Sequence, residues 1–76
     1  MDFATQVAQR ENTDQILSGA AKALWSAVSR PDFYVLPRDM ALQAALIFER
    51  LNDVDRMDEA LFVAGHLEQR IAERRT

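Results

Sequence analysis

The stretch from Arg38 to Leu51 constrains the fold most, because as a helix it is apolar around most of its circumference. At 100° per residue, one broad apolar arc carries Met40, Ala44, Ile47, Phe48 and Leu51. Leu42 and Leu46 form a second ridge beyond Glu49. A helix that is apolar on two flanks must be covered on two flanks, so the rest of the chain is expected to pack around this one.

The size of the chain predicts a single small domain, spanning residues 1–76, with a modest core. The composition, 49% hydrophobic and 28% charged with two Gly and two Pro, is typical of a compact all-α chain. Alanine supplies much of the apolar share and buries little surface. Below roughly 70–80 residues one core seldom supplies more than about 3–5 kcal/mol, and no cysteine is present to form a disulfide. We therefore expect stability to come partly from association with another chain.

Helix boundary signals predict three helices, at about 12–30, 38–51 and 56–74. Asn12 or Thr13 is expected to cap the first helix, and Pro31 to end it. Pro37 is suited to the first position of the central helix, and Asp55 to the cap of the last one. Residues 1–11 are expected to form a short N-terminal helical arm, ordered or loose.

The last helix is expected to bury one stripe, with Val63 at its border. That stripe consists of Met57, Ala60, Leu61, Ala64, Leu67 and Ile71. Phe62 departs from this pattern because it projects into the polar face, about 100° from Leu61. Two interpretations stay open: Phe62 is a surface aromatic, alone or covered by residues 33–36, or it anchors a partner, since aromatic residues are enriched at binding hot spots.

The segment Phe33, Tyr34, Val35, Leu36 is too apolar for a solvated loop and too short for a helix. One interpretation is an extended stretch that closes the end of the bundle. The other is a recognition surface containing Phe33 and Tyr34, because connecting segments often carry binding residues. Trp25 lies at the edge of the apolar face of the first helix and joins these candidates.

Residues suited to catalysis or metal binding are sparse. His66 is the only histidine, and without cysteine an ordinary zinc site cannot be assembled within one chain. The acidic group from Asp53 to Glu59 lacks the glycine and the final glutamate of a calcium-binding loop. No serine has a base at a suggestive spacing, and no glycine-rich phosphate loop exists. We expect no enzyme, no cofactor, no metal and no small-molecule substrate.

The charge of the chain disfavours nucleic acid as a partner, because the net charge is −3 and the pI is near 4.9. A helix-turn-helix interpretation is also disfavoured, since the turn at 51–56 is acidic and lacks glycine. The alternative that stays open is a nucleic-acid-associated regulator. It would use Arg70, Arg74 and Arg75 as the basic tip of a dimer.

Targeting signals are not evident in the sequence. No apolar run approaches the roughly 20 residues that span a bilayer, and the first residues lack the basic and apolar regions of a signal peptide. We therefore expect a cytoplasmic protein without membrane contact. Eight arginines against one lysine suggest a GC-rich bacterial or phage genome, by association only.

These observations together predict a non-enzymatic protein–protein interaction module: a small helical regulator, inhibitor or co-chaperone. Its partner is expected to be another protein or a second copy in a homodimer. Leu42 and Leu46 are the expected contact ridge. Additional contacts are assigned to Phe62, Tyr34, Phe33 and Trp25.

Overall fold

The chain folds into three α-helices in a computed structural model that describes residues 2–75. Helix α1 spans Phe3–Leu24, α2 spans Val35–Arg50 and α3 spans Val54–Arg75. A 3-10 turn, Pro31–Tyr34, leads directly into α2. The predicted all-α class and its three helices are confirmed, whereas several predicted boundaries differ.

Helix α1 begins well before the predicted start at residue 12. The carboxylate of Asp2 caps it by accepting a hydrogen bond from the Thr5 amide at 2.8 Å. The predicted caps at Asn12 and Thr13 are wrong, because both residues lie inside the helix. The Thr13 hydroxyl donates instead to the Gln9 carbonyl one turn earlier, at 2.7 Å. The predicted N-terminal arm is therefore the first part of α1.

Helix α1 also ends earlier than predicted, at Leu24, so Pro31 does not terminate it. The Trp25 amide closes the last turn by donating to the Lys22 carbonyl at 3.2 Å. Residues 26–30 have no regular structure. The segment 33–36, predicted as extended, is helical instead, and Pro37 occupies the third position of α2 rather than the first.

The end of α2 is fixed by a backbone motif at Asn52, whose φ of 58° is left-handed. The Asn52 amide donates to the Glu49 carbonyl at 3.0 Å, and the Asp53 amide donates to the Phe48 carbonyl at 2.9 Å. This pair of bonds is the Schellman arrangement, in which an αL residue satisfies the last carbonyls of a helix. It turns the chain tightly, so α2 and α3 form an antiparallel hairpin.

Asp53 caps the start of α3, whereas the sequence predicts Asp55 in this role. The Asp53 carboxylate accepts a hydrogen bond from the Arg56 amide at 3.3 Å. Asp55 lies within the first turn, where its negative charge complements the helix dipole.

The core lies between the three helices and is rich in alanine. Alanine accounts for six of the thirteen buried hydrophobic residues: Leu17, Ala20, Leu24, Tyr34, Ala41, Ala44, Ala45, Phe48, Ala60, Val63, Ala64, Leu67 and Ile71. On α3 the predicted stripe is shifted, because Val63 is buried while Leu61 is 46% exposed. The bundle measures 47 × 16 × 14 Å.

Candidate functional site

An apolar groove runs between α2 and α3 and is open to solvent. Helix α2 contributes Leu42, Ala45 and Leu46, and α3 contributes Met57 and Leu61. Leu42 and Leu46 are 43% and 56% exposed. The groove encloses about 210 Å³. A cavity of about 150 Å³ holds a benzene molecule, so the groove has room for one large apolar side chain.

The groove is open because α1 covers only the opposite face of the α2–α3 hairpin. On that side Met40 of α2 packs beside Gly19 of α1. Arg56 of α3 forms an ion pair with Asp14 of α1, at 3.4 Å. Leu42 lies about 200° around α2 from Met40, so it points away from α1. The hairpin therefore has one covered face and one bare face, and the bare face carries the groove.

The charged residues at the two ends of the bare face differ in how they are paired. At one end Arg38 donates a hydrogen bond to the Glu68 carboxylate at 2.9 Å and pairs with Asp39 at 3.1 Å. These bonds, first to Glu68 and then to Asp39, raise the pKa of the Arg38 guanidinium above its ordinary value. At the other end Glu49 lines the groove and is exposed. Its carboxylate has no hydrogen-bond or ion-pair partner among the described residues.

Phe62 lies beside the groove and is 63% exposed. Its ring rests against the His66 imidazole, with centroids 4.3 Å apart and the planes tilted by 58°. Leu61 lines both the groove and a shallow depression that Phe62 and His66 form with Gly65. The segment 33–36 leaves most of Phe62 uncovered. Its predicted role as a partner anchor stays a prediction.

Tyr34 is not available to a partner, which corrects its place in the predicted contact set. Its side chain is fully buried at the end of the bundle. The hydroxyl donates to the Val28 carbonyl at 2.6 Å and lies 3.2 Å from the Ser26 carbonyl. Tyr34 therefore closes the bundle and holds the segment 26–30 against it. This outcome matches the predicted role in closing the bundle, although the local structure is a 3-10 turn and not an extended stretch.

Phe33 and Trp25 lie in the connection between α1 and α2. The Phe33 ring packs edge-on against Tyr34, with centroids 5.3 Å apart, and is 43% exposed. Trp25 follows the last residue of α1 and is 82% exposed. Leu36, in the first turn of α2, is 67% exposed. The structure does not bring this group into the α2–α3 groove.

The three arginines of the predicted basic tip lie in the last turns of α3. Arg74 and Arg75 are exposed, and Arg70 is half-buried in a depression that it shares with His66, Gln69 and Glu73. Within residues 2–75, no group of three or more His, Cys, Asp or Glu side chains is arranged to hold a metal ion. None of the helices in that range is long and apolar enough to cross a bilayer.

Sequence analysis missed three of the residues that shape this face. Leu61 was assigned to the buried stripe, and Arg38 and Glu49 were not singled out. For Arg38 and Glu49, the sequence does contain a signal in the spacing of α2. Arg38, Leu42, Ala45 and Glu49 follow one another at i, i+4, i+7 and i+11. That spacing places the four residues within about 60° on α2.

No protein-family model, curated protein or solved structure matches this chain. A functional hypothesis therefore rests on the residues and surfaces described above.

Proposed function

We propose that this chain is a non-enzymatic protein–protein interaction module, which acts as a small regulator, inhibitor or co-chaperone. The observation that carries the proposal is the distribution of large apolar side chains. The core is rich in alanine, while nine large apolar residues within positions 2–75 are exposed: Phe3, Trp25, Phe33, Leu36, Leu42, Leu46, Val54, Leu61 and Phe62. Scattered exposed residues need no explanation, but a contiguous apolar patch is typical of a binding site.

Leu42, Leu46 and Leu61 line the groove together, and Phe62 lies at its border. Full burial of an exposed leucine contributes about 1.5–3 kcal/mol, and because these leucines are already about half buried, covering one contributes about 1 kcal/mol. The groove is a shape that suits the apolar face of a helix, which would insert residues spaced by three or four positions.

The test compares four immobilised forms of the protein, the wild type and three variants, as baits in an extract of the native cell. Leu46→Asp places a charge in the groove, and Phe62→Ala removes the aromatic ring beside it. Leu36→Asp is the matched control, because Leu36 is at least as exposed but lies on another part of α2. A hot-spot loss of about 2 kcal/mol or more corresponds to at least ~30-fold in affinity.

The proposal expects a protein that the wild-type and Leu36→Asp baits retain and that the Leu46→Asp or Phe62→Ala bait loses. Retention of the same proteins by all baits would contradict it. Binding that falls steeply with added salt and survives Leu46→Asp would favour the alternative, a nucleic-acid-associated regulator that uses Arg70, Arg74 and Arg75.

A further inference from the structure

We propose that the bare face of the α2–α3 hairpin binds a second copy of this chain. The two copies are related by a two-fold axis, and their α2 helices cross the interface antiparallel. The two hairpins then form a four-helix core with α1 of each copy on the outside. This inference rests on the proposed function and names one occupant of its apolar face.

The self-complementarity of one stripe on α2 supports this assignment. Leu42, Ala45 and Glu49 line the groove in that order, and helical spacing places Arg38 one turn before Leu42 on the same side of α2. An antiparallel pairing about the middle of the stripe places Arg38 of each copy opposite Glu49 of the other. It also places Leu42 of each copy opposite Ala45, so that a large side chain faces a small one. A two-fold interface requires this reciprocity, because residue i contacts residue j and j contacts i.

Both charged groups are able to form the new contact. Glu49 is exposed and has no hydrogen-bond or ion-pair partner among the described residues. Arg38 already bonds to Glu68 and Asp39, but a guanidinium has five N–H donors, and the side chain is 25% exposed. A carboxylate from the second copy can therefore bond to a remaining N–H group of Arg38, but it does so beside the carboxylates of Glu68 and Asp39, so this contact orients the pair more than it adds affinity.

The dimensions of the face set the strength of the association. The 16 residues of α2 span about 24 Å, and two helices side by side are about 20 Å wide, which gives a footprint of about 480 Å² per copy. Two footprints bury roughly 1,000 Å², which lies below the range of about 1,200–2,000 Å² for stable complexes and is typical of a weak, transient one. A dimer of this size is expected to dissociate in the micromolar range.

The dimer would leave other apolar residues free for a different protein. Trp25 follows α1, and Phe33 lies in the connection to α2, so neither belongs to the paired stripe. The two proposals therefore divide the apolar surface. The groove joins the copies, while Phe62, Phe33 and Trp25 stay exposed outside it.

The experiment measures the mass of the full chain by sedimentation equilibrium from about 1 µM to about 1 mM. Glu49→Arg and Arg38→Glu each place like charges at two symmetry-related contacts. Each variant is expected to dissociate about tenfold more readily than the wild type. An equimolar mixture of the two variants restores opposite charges at both contacts, and is expected to dimerise within about threefold of the wild type.

Two controls separate the interface from the fold of each copy. Glu68→Gln removes the charge of one of the two internal partners of Arg38, leaves Asp39 in place, and is expected to retain the dimer. Leu42→Asp is expected to remain monomeric up to about 1 mM, whereas Leu36→Asp dimerises like the wild type. Circular dichroism checks that every variant is helical, and Glu49→Arg breaks no side-chain hydrogen bond or ion pair among the described residues, so this variant is expected to keep the fold.

A wild-type chain that stays monomeric at about 1 mM would overturn the inference. A dimer that is insensitive to both Leu42→Asp and Glu49→Arg would also overturn it, because the contact would then lie on another face. Failure of the mixture to recover association would exclude the antiparallel pairing. None of these results affects the binding of a different protein, which the Phe62→Ala bait tests separately.

Discussion

Replacement of Tyr34 by phenylalanine tests whether this residue closes the bundle through its hydroxyl group. The change keeps the ring in the core and removes the donor that reaches the Val28 and Ser26 carbonyls, at 2.6 and 3.2 Å. A net hydrogen bond contributes about 0.5–1.5 kcal/mol, and a buried acceptor left unpaired costs about 1–3 kcal/mol. Because both carbonyl residues are half-buried, water compensates in part, and we expect a loss of about 1.5 kcal/mol.

In a domain of 60–100 residues each kcal/mol lowers the melting temperature by about 4–8 °C, so Tyr34→Phe is expected to melt about 6–12 °C below the wild type. Thermal unfolding followed by circular dichroism, at one fixed low concentration, measures this shift. Ser29→Ala is the matched control, because Ser29 lies exposed in the same segment without a side-chain hydrogen bond among the described residues, and this change is expected to alter melting little. A Tyr34→Phe variant that melts within about 2 °C of the wild type would refute this role.

Two further predictions concern the bare face and the first helix. In dilute solution Leu46→Asp is expected to change the free energy of unfolding by less than about 0.5 kcal/mol. Phe48→Ala is expected to lower it by about 3–5 kcal/mol, because Phe48 is in the core. Urea titrations measure both values, and equal losses would place Leu46 in the core. The hydrogen bond from the Thr5 amide lowers the pKa of Asp2 below its ordinary value of 3.8. The cap therefore stabilises α1 fully above pH 3.8, and this stabilisation is lost as the pH falls through the lowered pKa of Asp2. Exchange protection of the Thr5 amide should therefore fall with acid in the wild type and not in Asp2→Ala, and equal pH profiles would exclude the cap.

The helical class and the exposed ridge could be predicted from periodicity, because they depend on spacing within one helix. The apolar circumference of 38–51 predicts a broad arc with Phe48, which is buried, and a second ridge with Leu42 and Leu46, which are 43% and 56% exposed. Alanine-rich helices leave little apolar bulk for the core. The shortage of buried large side chains is therefore visible in the composition alone.

The boundaries of α1 could not be predicted, because they depend on contacts remote in sequence or on ambiguous residues. Thr13 is a good cap in isolation, yet inside a helix its hydroxyl bonds back to the Gln9 carbonyl. Helix α1 ends at Leu24, six residues before the end that Pro31 would impose. The Tyr34 hydroxyl holds residues 26–30 outside the helix through the Ser26 and Val28 carbonyls. The spacing of apolar residues within 12–30 gives no information on this contact with Tyr34.

The composition of the candidate site was only partly predictable for a similar reason. The rotation of α3 in the hairpin decides whether Leu61 or Val63 is buried, and both lie at the borders of the same apolar stripe. The packing against α2 and α1 selects Val63, and Leu61 then lines the groove. The opposite charges at Arg38 and Glu49 become meaningful only once the bare face is known.

The mass of the wild-type chain in solution tests most directly whether the bare face joins two copies. Each copy has a mass of 8.7 kDa. Sedimentation equilibrium is expected to show this mass at about 1 µM and a rise toward twice this mass as the concentration approaches about 1 mM. Leu42→Asp is expected to abolish the rise in mass, and Leu36→Asp to keep it. A mass of 8.7 kDa across the whole range would contradict self-association through the α2–α3 hairpin.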